Sequence, residues 1–335
     1  MGIDKLNMKG VDVYKRSFVE IIISISYFRV PEFREKFLRI ILEKSDNEIP
    51  EWRNTEGMHF EEEEEEKDLE FHNPSIQRMF DWKTYCYDMI PEDQQEAALE
   101  LLSRTLSTDR WKTRIHKRGV AFFLIVKQWA LYVKNTLVSN NVNWKDVPGY
   151  TKIVKAILLE MKERDVQFYP EALKEATCAL LANEKLVNVL TMIVFNKTPA
   201  YDNAAVNNCL DLIASWFQTI HANKSILPPQ FDFHFFFKGI QILMDLDHGV
   251  STAKCIWLIY KVLHIIPQNQ RIPLIESLLS AKKFYDLLFH WSFNVRHVFL
   301  YLYFFQLFHY INQEKDELPF LHEKPTKTFQ ASSSN

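Results

Sequence analysis

FDFHFFFKGIQILMDLDHGVSTAKCIWLIYKVLHII, residues 231–266, followed after a polar bend by KKFYDLLFHWSFNVRHVFLYLYFFQLFHYI, residues 282–311, decides the fold. Apolar and aromatic residues recur at helical spacing through four successive stretches, and no alternating apolar–polar run suggests a strand. The run Phe231, Phe233, Phe235, Phe236, Phe237 reads as core. Neither stretch contains a nucleophile elbow, a glycine-rich phosphate loop or a metal-ligand spacing. The pattern therefore defines a fold class without naming a reaction.

Composition bounds the rest. Of 335 residues, 47% are hydrophobic and 25% charged, as in a globular chain. With only 7 Gly, phosphate-cradling loops are scarce; with 26 Phe, the core is expected to be thick and aromatic. Net charge is −3, unevenly spread. Residues 43–70 hold thirteen acids and three bases, a balance of −10, so the remainder stands at +7. That excess is too mild to call for a nucleic-acid partner. Cys86, Cys178, Cys209 and Cys255 are far apart and lie in apolar helical patterns, which predicts buried thiols rather than a zinc site. Residues 1–10 are polar and lack a secretory leader pattern, so a reducing, cytoplasmic setting is expected.

Helical signals run along most of the chain. Residues 1–44 read as an N-terminal helical pair, with Pro31 ending one helix and opening the next. Residues 45–73 contain Glu61–Glu66, six carboxylates whose mutual repulsion predicts a disordered acidic linker. Residues 74–313 read as successive helices with short polar links, among them 148–164, 170–182, 185–195, 203–222, 252–265 and 273–279. Pairs recur about every 40 residues, the period of armadillo and HEAT-type arrays, so the expected fold is all-α, a solenoid of stacked antiparallel helix pairs. Residues 314–335 are polar and predict a frayed tail.

Two stretches, 120–138 and 298–311, are apolar enough to raise the alternative of an integral membrane protein. Lys127, Gln128 and Lys134 interrupt the first, and a lysine at the centre of a spanning helix costs about 2.5–3.5 kcal/mol. The second is too short for the roughly 20 apolar residues a span needs, and it holds Gln306 and His309. Both are expected to be buried core helices.

Three polar clusters are candidate sites. Arg104 and Trp111 lie among Arg110, Lys112, Arg114, Lys117 and Arg118, a candidate surface for anionic ligands such as acidic lipid headgroups or acidic protein segments. His290, Trp291, Ser292 and Arg296 form a candidate structural node joining the last two helices, with Trp291 packed as a large core aromatic. Asp286 precedes His290 by one helical turn, but no nucleophile accompanies the pair. His234 with Asp232 and Asp245 matches no standard metal spacing. No catalytic residue, cofactor or metal is assigned.

The quoted stretches resemble the fungal and protist family catalogued as "domain of unknown function 1765", whose members are described as membrane proteins. The family element F-D-x-x-F-F-x-K-G-x-x-I-L is matched by Phe231, Asp232, Phe236, Lys238, Gly239, Ile242 and Leu243, and W-x-I-Y by Trp257, Ile259 and Tyr260. A third element is matched by Leu288, Phe289, His290, Trp291, Ser292, Val295, Arg296 and Phe299, except that Phe289 and His290 adjoin where the family has a spacer. The resemblance covers residues 231–311. It implies an intracellular eukaryotic protein with an armadillo-like helical fold and an option of membrane association, and no known activity or cofactor. Family members are often longer. The expectation is a non-enzymatic helical scaffold or adaptor for protein partners, with peripheral contact at a membrane as a further option.

Overall fold

The computed structural model describes residues 13–42, scattered positions between 91 and 115, and residues 119–137, 143–223, 226–246 and 248–308. The acidic stretch 45–73 and the tail 314–335 lie outside the described residues. Among the described residues every regular element is helical, as the sequence patterns imply. Chain contacts divide into two compact units, residues 1–199 and 200–335.

The first unit is built from α1 (Val13–Arg29), α2 (Pro31–Leu42), α3 (Val120–Tyr132, continuing as a π turn through Val133–Leu137), α4 (Tyr150–Glu163), α5 (Glu171–Leu180) and α6 (Val187–Lys197). Helix α3 is its centre, packed between α1 and α5. Ala121–Val126, Trp129, Ala130 and Val133 are all buried, the all-round burial that an almost uniformly apolar helix requires. Its one interior cation, Lys127, reaches Glu175 of α5 at 2.9 Å. Over residues 120–136 the apolar stretch thus finds its solvent in neighbouring helices. Helix α2 packs on α4, and α4 on α6.

Glycine decides how the first helix pair joins α4. Gly149, at the N-cap of α4, takes φ +73°, and a Cβ there would stand 2.2 Å from the Tyr27 hydroxyl and 2.7 Å from Leu38. The close approach lets Tyr27 donate to the Pro148 carbonyl at 2.7 Å. Buried Arg34 closes the other side by donating to the Phe28 carbonyl at 3.2 Å, satisfying the C-terminal end of α1. Rings of Tyr27, Phe28, Phe37 and Trp129 pack edge-on or stacked around this joint.

The second unit contains α7 (Asn203–Ala222), α8 (Phe233–Asp245), α9 (Gly249–Val262), α10 (Gln268–Leu279), α11 (Ala281–Leu288) and α12 (Phe293–Leu302, continuing as a π turn through Tyr303–Leu307). Helix α9 is central and packs against α7, α8 and α12, while α11 packs on α12 and α10 on α11. Asp202 and Asp232 cap α7 and α8, each accepting from backbone N–H groups in the first turn, Ala204 at 2.9 Å and Phe235 at 2.8 Å.

Two helix starts differ from those the sequence predicts. Helix α9 begins at Gly249 rather than Thr252, because the His248 ring accepts from the Ser251 N–H at 3.3 Å and serves as the cap. Helix α10 begins at Gln268 and carries Pro273 inside it, where the sequence places Pro273 at the start. Pro267, not Pro273, sits at the cap, with φ −55°, and supplies the preset backbone.

No described helix is long and apolar enough to cross a membrane. Residues 298–308 of the stretch 298–311, the part that is described, depart from expectation in another way. Phe299, Leu302 and Leu307 are buried, but Tyr301, Phe304, Phe305 and Phe308 face outward. This part is a core helix on one side only.

Candidate functional site

The outward side of α12 is an unbroken aromatic stripe. Phe293, His297, Tyr301 and Phe305 are spaced four apart, which stacks them along one helix face. Phe293 and His297 stack with ring centres 5.4 Å apart, His297 meets Tyr301 edge-on at 4.9 Å, and Tyr301 stacks on Phe305 at 5.5 Å. Phe293 is 65% exposed and Phe305 63%. Phe304 and Phe308 widen the stripe on its C-terminal half, and both are exposed. Across from it, Val295, Phe299 and Leu302 are buried. Helix α12 is therefore apolar on two faces, only one of which the described residues cover.

The π turn at 303–307 sharpens this division. A regular helix would carry the buried series Val295, Phe299, Leu302 on to Gln306. The extra residue per turn moves Leu307 into the buried position and leaves Gln306 half-buried.

The loop leading into α12 extends the exposed aromatic area and is tightly built. Arg296 donates from one nitrogen to the His290 carbonyl at 2.5 Å and to the Trp291 carbonyl at 2.9 Å, and its guanidinium lies 5.9 Å from the Phe293 ring centre. The Ser292 N–H donates to His290 Nδ1 at 3.0 Å. Gly249 makes room for the loop: a Cβ there would meet Ser292 Cβ at 2.8 Å. So His290, Ser292 and Arg296 are brought together, as backbone supports. Trp291 is corrected from core to surface. It is 69% exposed, with the tip of its indole lying near Gly249. Phe289, beside it, is exposed as well and stacks on Tyr285.

Among the described residues, the other predicted groups are dispersed. Of the basic cluster, Arg110, Arg114, Lys117 and Arg118 lie outside the described residues. Lys112 is half-buried and reaches the Ser107 carbonyl at 3.5 Å, while Arg104 is exposed. His234 is exposed, Asp232 is a helix cap, and Asp245 pairs with Lys283 at 2.7 Å. Among the described residues no group of three or more His, Cys, Asp or Glu side chains could hold a metal ion. Burial, reinforced by neighbouring Cys209, pushes the Cys255 thiol up to about 12, far from thiolate chemistry at neutral pH.

The arrangement is an exposed aromatic surface: rings held in register by stacking, on a helix whose other face is anchored. Sequence reading missed it because an apolar helix face looks the same whether a neighbour covers it or not. The available signal was the second, four-residue series beginning at Phe293, which interleaves with the buried series beginning at Val295.

Residues 187–307 match the model of a family described as a protein of unknown function (DUF1765), in accord with the resemblance seen in the sequence. The match runs from α6 to the end of the π turn. It takes in the whole four-ring ladder and its supporting loop. No curated protein and no solved structure matches the chain. Within the matched segment the family-like positions divide by role. Phe231, Phe236, Ile259, Val295 and Phe299 are core, Asp232 caps a helix and Arg296 builds the loop. Trp257 stacks on Tyr260 at 5.0 Å with Lys261 over its ring at 5.5 Å.

Proposed function

We propose that the chain is a non-catalytic helical scaffold and that the aromatic stripe of α12, with its loop, is the face by which it holds a protein partner. The observation that carries this reading is the four-ring ladder: stacked, exposed, and built on a helix whose opposite side is anchored. Leaving such a stripe in water costs hydrophobic free energy, and continuous apolar patches of this size on one molecule mark interaction sites. Stacked rings also lose little side-chain freedom on binding, so they suit the centre of an interface.

The packing order supports the scaffold part. In the first unit α1, α3 and α5 pack in sequence, and so do α2, α4 and α6. Such packing of alternate helices is what a solenoid of helix pairs uses, and solenoids offer extended faces to peptides and helices.

A benzophenone amino acid placed at Tyr301 tests the reading in cells. The expected result is a discrete protein adduct from position 301 and none from a control at Lys238, exposed on α8. Absence of any protein adduct at 301, or equal adducts at both positions, would overturn it.

A further inference from the structure

The aromatic stripe fits a second copy of this chain. Resting on the binding-face reading above, we propose that two molecules pair through α12, antiparallel about a two-fold axis.

Area is the first argument. Phe293, Tyr301, Phe304, Phe305 and Phe308 on the stripe and the two loop rings, Phe289 and Trp291, are each about two-fifths to three-quarters exposed. At about 200 Å² per ring they present roughly 850 Å². A stable interface of ordinary size takes about 800 Å² from each partner. The stripe and its loop rings together therefore present about the area that a symmetric dimer needs.

Charge is the second. No Asp, Glu, Lys or Arg occurs at the exposed stripe positions 293, 297, 301, 304, 305 and 308. A face that meets its own copy sets like against like, so a charged stripe would repel itself. This one does not. Acidic lipid, in contrast, is recognised by lysines and arginines flanking the apolar face. The one arginine within α12, Arg296, is engaged with two backbone carbonyls.

Order along the ladder is the third. It reads Phe293, His297, Tyr301, Phe305. Reversed, it reads phenylalanine, tyrosine, histidine, phenylalanine. Antiparallel pairing about the midpoint sets Phe293 opposite Phe305 of the second copy and His297 opposite its Tyr301. The phenol then has an imidazole nitrogen as a hydrogen-bond partner, and the outer rings meet rings.

Sedimentation equilibrium of the full chain across the micromolar range tests this. The expected mass is twice 39.8 kDa. Single variants Tyr301→Glu and His297→Lys weaken association by roughly tenfold or more, as central interface residues do. The double variant carries Lys at 297 opposite Glu at 301 of its copy, and it regains at least half of the lost association. Circular dichroism of all three variants checks that helicity is unchanged; both positions are exposed, so the fold is retained. A wild-type chain that stays monomeric overturns the proposal, and so does a double variant no better than the singles. If the monomer pellets with phosphatidylserine vesicles, or pairs only after residues 314–335 are removed, the occupant is lipid or the chain's own tail, and the dimer is excluded. A monomer that still yields a heterologous adduct from position 301 excludes the dimer while leaving the binding face intact.

Discussion

Trp291 and Phe299 look alike in sequence, large aromatics eight residues apart in the same apolar run, and physics separates them. Phe299 is fully buried and Trp291 largely exposed. Phe299→Ala should therefore cost about 3–5 kcal/mol, the penalty for a core aromatic, while Trp291→Ala should cost below about 1 kcal/mol. Urea unfolding of the two variants checks this, and equal losses would contradict it. Gly149 is the opposite kind of residue, small and indispensable. Gly149→Ala forces a Cβ into a left-handed conformation and against the Tyr27 hydroxyl. A loss of at least about 2 kcal/mol is expected, visible as a lower urea midpoint. Tyr150 adds a pH signature. Burial raises its phenol to about 12, partly offset by the Asn183 amide donating to its hydroxyl at 2.6 Å. An unfolded tyrosine ionises near pH 10. Between those values the unfolded chain sheds a proton that the folded chain keeps, so stability falls as pH rises through that window and is fully present below it. Tyr150→Phe should flatten this alkaline slope, measured from denaturation midpoints on either side of about pH 10.

At the scale of elements, helix type and most helix positions were legible in the sequence, because apolar periodicity and proline placement act locally. Pro31 opens α2 as read. The starts of α9 and α10 were not legible, since a histidine cap and a proline at the cap compete with stronger-looking signals nearby. Asp232 shows how local chemistry sets an element. Its carboxylate caps α8 and so aims Phe233 and Phe236 into the core. Asp232→Ala should cost about 1 kcal/mol, whereas Asp232→Asn or Asp232→Ser should recover most of it, read from thermal melts. The aromatic stripe lay beyond sequence reasoning for a different reason. Whether a helix face is covered depends on which other helices pack on it, and the packing of α9 and α11 on α12 comes from tertiary structure. The supporting residues His290, Ser292 and Arg296 could be named from sequence as a cluster. That their task is to hold a loop backbone, leaving Trp291 outward, needed coordinates.

For the whole molecule, the account rests on a separation between two kinds of apolar surface. One kind, typified by α3, folds the protein; the other, on the outer side of α12, is exposed and is the proposed binding face. Stability and binding should then come apart under mutation. The most direct test is the triple variant Phe293→Ser, Tyr301→Ser, Phe305→Ser. It should be compared with wild type by urea unfolding and by photo-crosslinking from a benzophenone residue at position 297. The account predicts an unfolding free energy within about 1.5 kcal/mol of wild type, the allowance for three surface changes, together with loss of the protein adduct. A variant that fails to fold, or one that keeps its adduct, would contradict it.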